Sequence, residues 1–380
     1  MCHLQDKKLD ACTLNMKILF IGDYSNLHTT LARELNRMGH QAHVLSDRCG
    51  HMNLQSDFFL KREKGILGGF KYLYDIFSLL PKLKDYDVVQ LINTNFLSLR
   101  PQKIKYFFDI LKKQNGSVFL TLAGNDYYFC KACNDAKMFR FSEFKIGNSP
   151  TPAHAANPHH LYNWLSHSNK LWAEYLFANI NGAISVAPEY DMAARDLLGD
   201  RLLFSNLPVD FSELPSPVSF QGDKVNILLG MRSGFEDSKG TKTLYKIAKE
   251  IESQMPEMVN INLAKDLPLK DFLDLMSKSD IVLDQLYSYS PGMTAIYAMA
   301  LGKAVATGAQ PEYYQYIGNP IEKPLIPLSP FDTDIQQRLI SLIHNRNEII
   351  SRGEQGKRLA HSLNAAPIVA AKYLSHVTGR

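Results

Sequence analysis

The chain has 380 residues, 45% hydrophobic and 21% charged, which fits an ordinary soluble protein with enough chain for two full cores. A net charge of +4 is too small to argue for nucleic acid. No apolar run reaches the roughly 18 residues needed to cross a bilayer.

Residues 1–15, MCHLQDKKLDACTLN, are polar and lack the apolar core of a signal peptide, so they read as a tail. The five cysteines are mostly scattered, which fits a reducing compartment and no disulfide framework. Together these features point to the cytoplasm.

MKILFIG predicts a buried strand over 16–22. A helix is expected over 29–38, capped by Gly39, and a strand over 43–45. Gly22 ends the first strand and permits a sharp turn with close backbone approach to a ligand. Asp23, Asn26 and His28 sit in the next loop and can face that ligand. Strand-end loops carry polar residues in any case.

Residues 58–84, FFLKREKGILGGFKYLYDIFSLLPKLK, hold six Lys or Arg against two acids. A basic, aromatic, helix-prone surface of this kind suits peripheral contact with an anionic membrane. A core-facing helix with a wet basic face has the same composition.

Further strands are expected over 88–92, 118–122 and 183–186. Gly124, Asn125 and Asp126 follow the second of these. Asp126 can bind a sugar hydroxyl, or it can cap the helix that follows. Cys130 and Cys133 form a single C-x-x-C without a second pair. His154, His159, His160 and His167 lack a recognisable ligand spacing, so no metal site is expected.

Three prolines in NLPVDFSELPSP mark an interdomain linker over 207–217. This gives a first domain over 16–206 and a second over 218–355. The second carries strands over 225–229, 261–264, 281–284 and 304–307. Residues 332–373 read as mostly helical, broken near Gly353. Residues 356–380 form a C-terminal helix able to pack back on the first domain. Buried runs alternating with helical patterns predict the α/β class. The architecture is two Rossmann-like, doubly wound domains that face each other across a ligand-binding cleft.

The most informative stretch is 279–308, SDIVLDQLYSYSPGMTAIYAMALGKAVATG. It reads as strand, turn, helix and strand. Ser290, Pro291 and Gly292 make the turn, and Gly302 stops the helix. Such a turn aims free backbone N–H groups at a crevice above strand ends, a place suited to phosphate. The hydroxyls of Ser290 and Thr294 can add to that site, and Ser290 can equally cap the helix. After the first strand the chain reads IGDYSNLHTT, without G-x-G-x-x-G, which disfavours a nicotinamide enzyme. Asp85-Tyr86-Asp87 and Asp332-Thr333-Asp334 imitate a D-x-D metal motif. The first leads into a buried strand and the second lies in a late loop.

Several phrases, in order, resemble the GT-B glycosyltransferases, most closely the retaining nucleotide-sugar enzymes of glycosyltransferase family 4. They are MKILFIG with LARELNRMGHQAHVLS, DYDVVQLIN, NLPVD, GMRSGFEDSKGTKTL and TAIYAMALGKAVATGAQPEYY. The resemblance implies a nucleotide-sugar donor in the second domain and a glycan or lipid-linked acceptor in the first. It implies surface polysaccharide synthesis and no cofactor, the nucleotide-sugar being a substrate. Arg232 and Lys239 stand at the family's diphosphate-neutralising positions. Cations there stabilise the charge that develops on the leaving diphosphate, in the place of a metal. Asp126 follows a strand end where related enzymes keep a catalytic or sugar-binding polar residue. Glu312, in PEYY, matches a Pro-Glu that packs the next turn against the site. The chain departs from the family at its paired glutamates, where Tyr289 and Tyr297 stand instead. A tyrosine hydroxyl can still meet a sugar, but it is no carboxylate. Two rival readings share the fold, a nucleotide-sugar 2-epimerase and a non-catalytic nucleotide- or glycan-binding protein.

Overall fold

The computed structural model describes residues 15–379, except 49, 136, 219 and 221. The predicted tail therefore lies, apart from Asn15, outside the described residues.

The first sheet begins with β1 (Lys17–Ile21), β2 (Gln41–Ser46), β3 (Phe58–Phe59), β4 (Val88–Leu91) and β5 (Ser117–Leu122). A small antiparallel hairpin follows, β6 (Lys145–Ile146) with β7 (Ser149–Pro150). The sheet then closes with β8 (Gly182–Ser185) and β9 (Leu202–Phe204). Its order is β3-β2-β1-β4-β5-β8-β9, and every pairing is parallel. The second sheet contains β10 (Val225–Met231), β11 (Val259–Lys265), β12 (Ile281–Leu283), β13 (Ala304–Thr307) and β14 (Ile326–Pro327). Its order is β11-β10-β12-β13-β14, again all parallel. This is the expected α/β class with two doubly wound sheets.

Strand order reverses between β1 and β4 in the first sheet and between β10 and β12 in the second. Connections leave in opposite directions at such a reversal and open a crevice above the strand ends. Gly22 follows β1, and Arg232 follows β10. The topology thus places the candidate residues before any side chain is considered.

Both faces of each sheet are covered. Leu19, Ile21, Val89 and Leu91 point into one core of the first sheet, and Ile18, Phe20 and Val44 into the other. Leu228 and Val282 face one core of the second sheet, with Ile227, Leu229 and Leu283 on its other face. A further cluster of Cys130, Cys133, Phe139, Phe141, Phe144 and Leu161 takes in Tyr289 from the second half.

The strands β3, β9 and β14 and the hairpin are absent from the sequence reading. They are two or three residues long, and Pro327 cannot donate to a ladder, so no periodicity marks them. The expected break at Gly353 is corrected. The helix Arg346–Asn364 runs straight through it, and the next helix is Ala366–Thr378. A Cβ at Gly353 would lie 2.1 Å from the Gly302 carbonyl oxygen. The glycine serves close packing, and the chain turns instead at Ala365. From there Ala370 and Tyr373 pack beside Phe20 and Leu35 under the first sheet.

Candidate functional site

At the end of β1, Gly22 has φ +81°, and a Cβ there would sit 2.2 Å from Ile92 Cγ2. Only glycine meets both conditions. The neighbouring polar residues hold the loop. Asp23 is buried and caps the helix Leu27–Arg37, accepting from His28 N–H at 2.9 Å and Thr29 N–H at 3.1 Å. Burial raises its pKa against those bonds. His28 Nδ1 is 2.7 Å from the Gly22 carbonyl, which can only accept, so Nδ1 carries the proton. Gln90 donates to Thr121 Oγ1 at 2.9 Å, which leaves the Thr121 hydroxyl proton for His28 Nε2 at 3.0 Å. The imidazole is therefore neutral, and burial pulls its pKa down to about 3.

Asp126 follows β5 and is buried. Its Oδ1 accepts from Phe129 N–H at 2.8 Å, so it caps the helix Tyr127–Asp135. Burial pushes its pKa up to about 6 against that bond.

Arg232 and Lys239 lie exposed on the loop after β10. The Arg232 guanidinium stacks on the Phe235 ring, 4.4 Å from its centroid. Gly240 (φ +71°) brings this loop against Leu286, whose N–H donates to the Lys239 carbonyl at 2.8 Å. The two cations are thereby tied to the segment after β12.

That segment differs from the expected open phosphate turn. Gly292 N–H donates to Asp284 Oδ2 at 3.0 Å, and Thr307 Oγ1 donates to the same oxygen at 3.0 Å. Ser290 N–H donates to Glu189 Oε1 at 3.1 Å, and its hydroxyl to Glu189 Oε2 at 2.8 Å. Ser288 Oγ and Tyr289 N–H reach Glu189 Oε1 at 2.6 Å each. Two internal carboxylates thus satisfy donors that burial would otherwise leave unpaired. Thr294 is half-buried on the first turn of the helix Met293–Ala300.

Both tyrosines reach across to the first sheet's side. Tyr297 is buried and accepts from Asn26 Nδ2 at 3.3 Å. Burial pushes its pKa up to about 12. Tyr289 accepts from Arg140 N–H at 2.6 Å and stacks on Phe141 at 4.7 Å between centroids. Glu312 grips the Arg140 guanidinium at 2.5 and 3.2 Å.

Side chains that follow the strand ends therefore join the two halves. Tyr297 meets Asn26 there, Tyr289 meets Arg140, and Glu189 meets the Ser288–Ser290 turn. A hollow of about 340 Å³, lined by Asp223, His344 and Arg346, lies at the start of β10.

The fold is shared with solved structures. Sucrose-phosphate synthase from Thermosynechococcus elongatus gives a TM-score of 0.65 at 12% identity, covering 96% of this chain and 98% of that one. Anabaena HepE in complex with UDP-glucose gives 0.59 at 12%, covering 96% and 100%. WaaG, a glycosyltransferase involved in lipopolysaccharide biosynthesis, gives 0.57 at 13%, covering 96% and 100%. The fold is GT-B. No protein-family model matches the chain, and no curated protein matches it in sequence.

The other candidates in this GT-B chain have ordinary partners. Asp87 Oδ2 accepts from Lys17 N–H, and Asp332 and Asp334 both pair with Arg338. Cys130 and Cys133 are buried free thiols. Among the described residues no group of three or more His, Cys, Asp or Glu is placed to hold a metal ion.

Sequence reasoning missed Arg140 and Glu189, whose side chains join the two halves of the GT-B fold. Glu189 lies on the first turn of the helix Pro188–Leu198 that follows β8, a strand-end position like that of Asp126 after β5. Arg140 and Glu143 sit in MFRFSEF, where charges alternate with aromatics. That alternation is the only local signal of a segment packed on one side and wet on the other.

Proposed function

We propose that the chain is a glycosyltransferase that moves a sugar from a nucleotide-sugar to a glycan or lipid-linked acceptor. The observation that carries this reading is the pair of exposed cations, Arg232 and Lys239, on the loop after β10, beside the strand-order reversal of the second sheet in a GT-B fold. Breaking a glycosidic bond to diphosphate develops negative charge on the leaving group. Fixed cations and a helix N-terminus stabilise that charge without reorganising. Arg232 and Lys239 hold the diphosphate, and Thr294 adds its hydroxyl. Gly22 keeps the opposite wall close. Asp126, Ser290, Gly292, Tyr297 and Glu312 support the site through the bonds described above.

Transfer with retention of configuration, without a metal, is the form that the resemblance to family 4 suggests. Surface polysaccharide is the product class, as WaaG's role in lipopolysaccharide biosynthesis suggests. The test is thermal shift against nucleoside diphosphates and nucleotide-sugars, with Arg232→Ala beside the wild type. One nucleotide should raise the wild-type midpoint, and the variant should lose most of that response. No response at millimolar concentration from any of them would sink the reading. Unchanged turnover in EDTA and the product anomer by NMR test the finer claims.

A peripheral membrane site accompanies this function. The helix Gly65–Leu79 buries only Gly68, Tyr72 and Ile76. It leaves Ile66 80%, Leu67 84%, Phe70 68% and Tyr74 73% exposed. Lys61, Lys64, Lys82 and Lys84 flank it and Lys71 lies on it, all exposed. Apolar side chains ringed by cations match an anionic lipid surface, where a lipid-linked acceptor would reside. No described helix is long and apolar enough to cross a membrane.

A further inference from the structure

Glu189 and Asp191 stand on the first turn of the helix Pro188–Leu198, which follows β8. Both carboxylates reach the second half of the chain. Asp191 accepts from Tyr316 Oη at 3.1 Å, while Arg195 Nε and Ser185 Oγ hold it from its own half at 3.0 and 2.6 Å. Glu189 accepts from Ser288 Oγ and Tyr289 N–H at 2.6 Å each, from Ser290 N–H at 3.1 Å and from Ser290 Oγ at 2.8 Å. The residue is only 7% exposed. A carboxylate buried this far is costly unless its oxygens are bonded, and these bonds all come from one turn of the opposite half.

That turn lies between the two parts of the proposed diphosphate site. At one end Leu286 N–H donates to the Lys239 carbonyl at 2.8 Å. At the other, Gly292 caps the helix Met293–Ala300, whose first bond runs from Ile296 N–H to the Gly292 carbonyl at 3.0 Å. The N–H groups of Met293, Thr294 and Ala295 precede that bond, so the helix offers them no acceptor. Between the ends, Gln285 Nε2 donates to the Ser290 carbonyl at 2.9 Å. A Cβ on Gly308 would sit 2.0 Å from the Ser288 carbonyl oxygen, so the turn is also packed tightly from below. Displacing Ser288–Ser290 therefore pulls on the Lys239 loop and on the helix N-terminus together.

We infer that Glu189 is a positioning residue for the transfer step, fixing the Lys239 loop and the N-terminus of the helix Met293–Ala300 through the Ser288–Ser290 turn. The inference rests on the glycosyltransferase reading. Binding a nucleoside diphosphate does not require Glu189. The second half keeps its own bonds from Gly292 N–H and Thr307 Oγ1 to Asp284, and a loosened turn can still settle around a bound anion. Turnover is more demanding. Donors stabilise the charge that develops on the leaving diphosphate only if they are already in place, and a misplacement of about 1 Å can cost about a hundredfold in rate. Glu189 therefore acts on kcat and leaves nucleotide affinity nearly unchanged.

The experiment compares the wild type, Glu189→Gln, Ser290→Ala and the double variant. Release of nucleoside diphosphate from UDP-, ADP- and GDP-glucose is followed with water as the acceptor. The Kd for the nucleoside diphosphate and the midpoint of thermal unfolding are measured alongside. Glutamine keeps the shape of the side chain and removes its charge. Glu189→Gln should lower kcat about tenfold to a hundredfold, with Kd changed less than threefold. Ser290→Ala should lower kcat less. The double variant should match Glu189→Gln within about threefold, because both changes break the same contact. Unchanged kcat in Glu189→Gln would overturn the proposal while leaving the nucleotide-sugar reading standing. A Kd that weakens in step with kcat would do the same, since it marks Glu189 as a support for the fold of the second half. Losses that multiply in the double variant would show that Glu189 does not act through the turn, and would also overturn it. A wild type that binds a nucleoside diphosphate but releases none has no step for Glu189 to position, and the proposal falls alone. A wild type that does neither removes the function, and this role for Glu189 goes with it.

Discussion

Gly22 and His28 show how closely the first wall of the cleft is specified. A methyl at Gly22 meets two penalties, positive φ and a Cβ 2.2 Å from Ile92 Cγ2. Gly22→Ala should cost about 2–4 kcal/mol in denaturant unfolding, and a loss below about 1 would show that the turn relaxes. His28 supplies a pH dependence. Its folded pKa of about 3 lies below the ordinary value of 6.5, so between those values the unfolded chain binds the extra proton. Stability from this group is complete above pH 6.5 and is lost as pH falls towards 3. Between pH 7.5 and 5 the wild type should lose about 2 kcal/mol more than His28→Gln does. Parallel losses in the two proteins would refute the neutral-imidazole assignment. The opposite shifts of Asp23 and Asp126 are common to both proteins and cancel in the difference. At this scale the sequence was partly legible. Gly22 stands out because a strand-end glycine carries a local signal, whereas only the resemblance to family 4 singles out Arg232 and Lys239. Tyr297 could not be placed, because its partner Asn26 is 271 residues away. Long-range contacts leave no trace in spacing, so the motif position points to a ligand group and gives no sign of the bridge to Asn26.

The long buried strands and the helix after β12 were legible because their apolar runs are continuous and bounded by glycine. Short edge strands were not, since two residues cannot establish a period. Gly353 misled for a related reason. A glycine inside a helical pattern signals either a break or a close approach, and only the neighbouring Gly302 carbonyl decides between them. Gly353→Leu should therefore lower the midpoint of thermal unfolding by several degrees, because Cβ would meet a backbone oxygen. An unchanged midpoint would show that the helix can shift. The helix Gly65–Leu79 carries a prediction of another kind. Its apolar residues face outward, the reverse of a core-facing amphipathic helix. Leu67→Ser with Phe70→Ser removes exposed apolar area without touching the buried Tyr72 and Ile76. In flotation assays the wild type should bind phosphatidylglycerol vesicles better than phosphatidylcholine vesicles, and the double variant should bind either weakly. Equal binding by the two proteins would dismiss this face as the membrane surface.

Across the molecule, the chain crosses between the two sheets twice, and the crossings run side by side. Val209 N–H donates to the Asn364 carbonyl at 2.7 Å, and Ala366 N–H donates to the Val209 carbonyl at 2.9 Å. Such a narrow double strap leaves the sheets free to rock, so other contacts must hold the cleft as described. Three of them have been named, Tyr297 on Asn26, Arg140 on Glu312 and Tyr289, and Glu189 on the Ser288–Ser290 turn. Glu189 is the strongest, since its charge accepts several donors inside a buried site, and charged hydrogen bonds are about twice as strong as neutral ones. It also holds backbone N–H groups that a phosphate turn would offer, so closing the domains and satisfying that turn are one event. Glu189→Ala should loosen the closed arrangement and leave the helix caps of each half intact. Amide exchange should quicken at Tyr289 and Ser290, which lose their acceptor, and at Phe141 and Phe144, which Glu189 does not hydrogen-bond. The radius of gyration in solution scattering should rise as well. Faster exchange confined to 289–290, with an unchanged radius, would mean that Glu189 merely caps a local turn and that the aromatic contacts of Tyr289 hold the domains together without it.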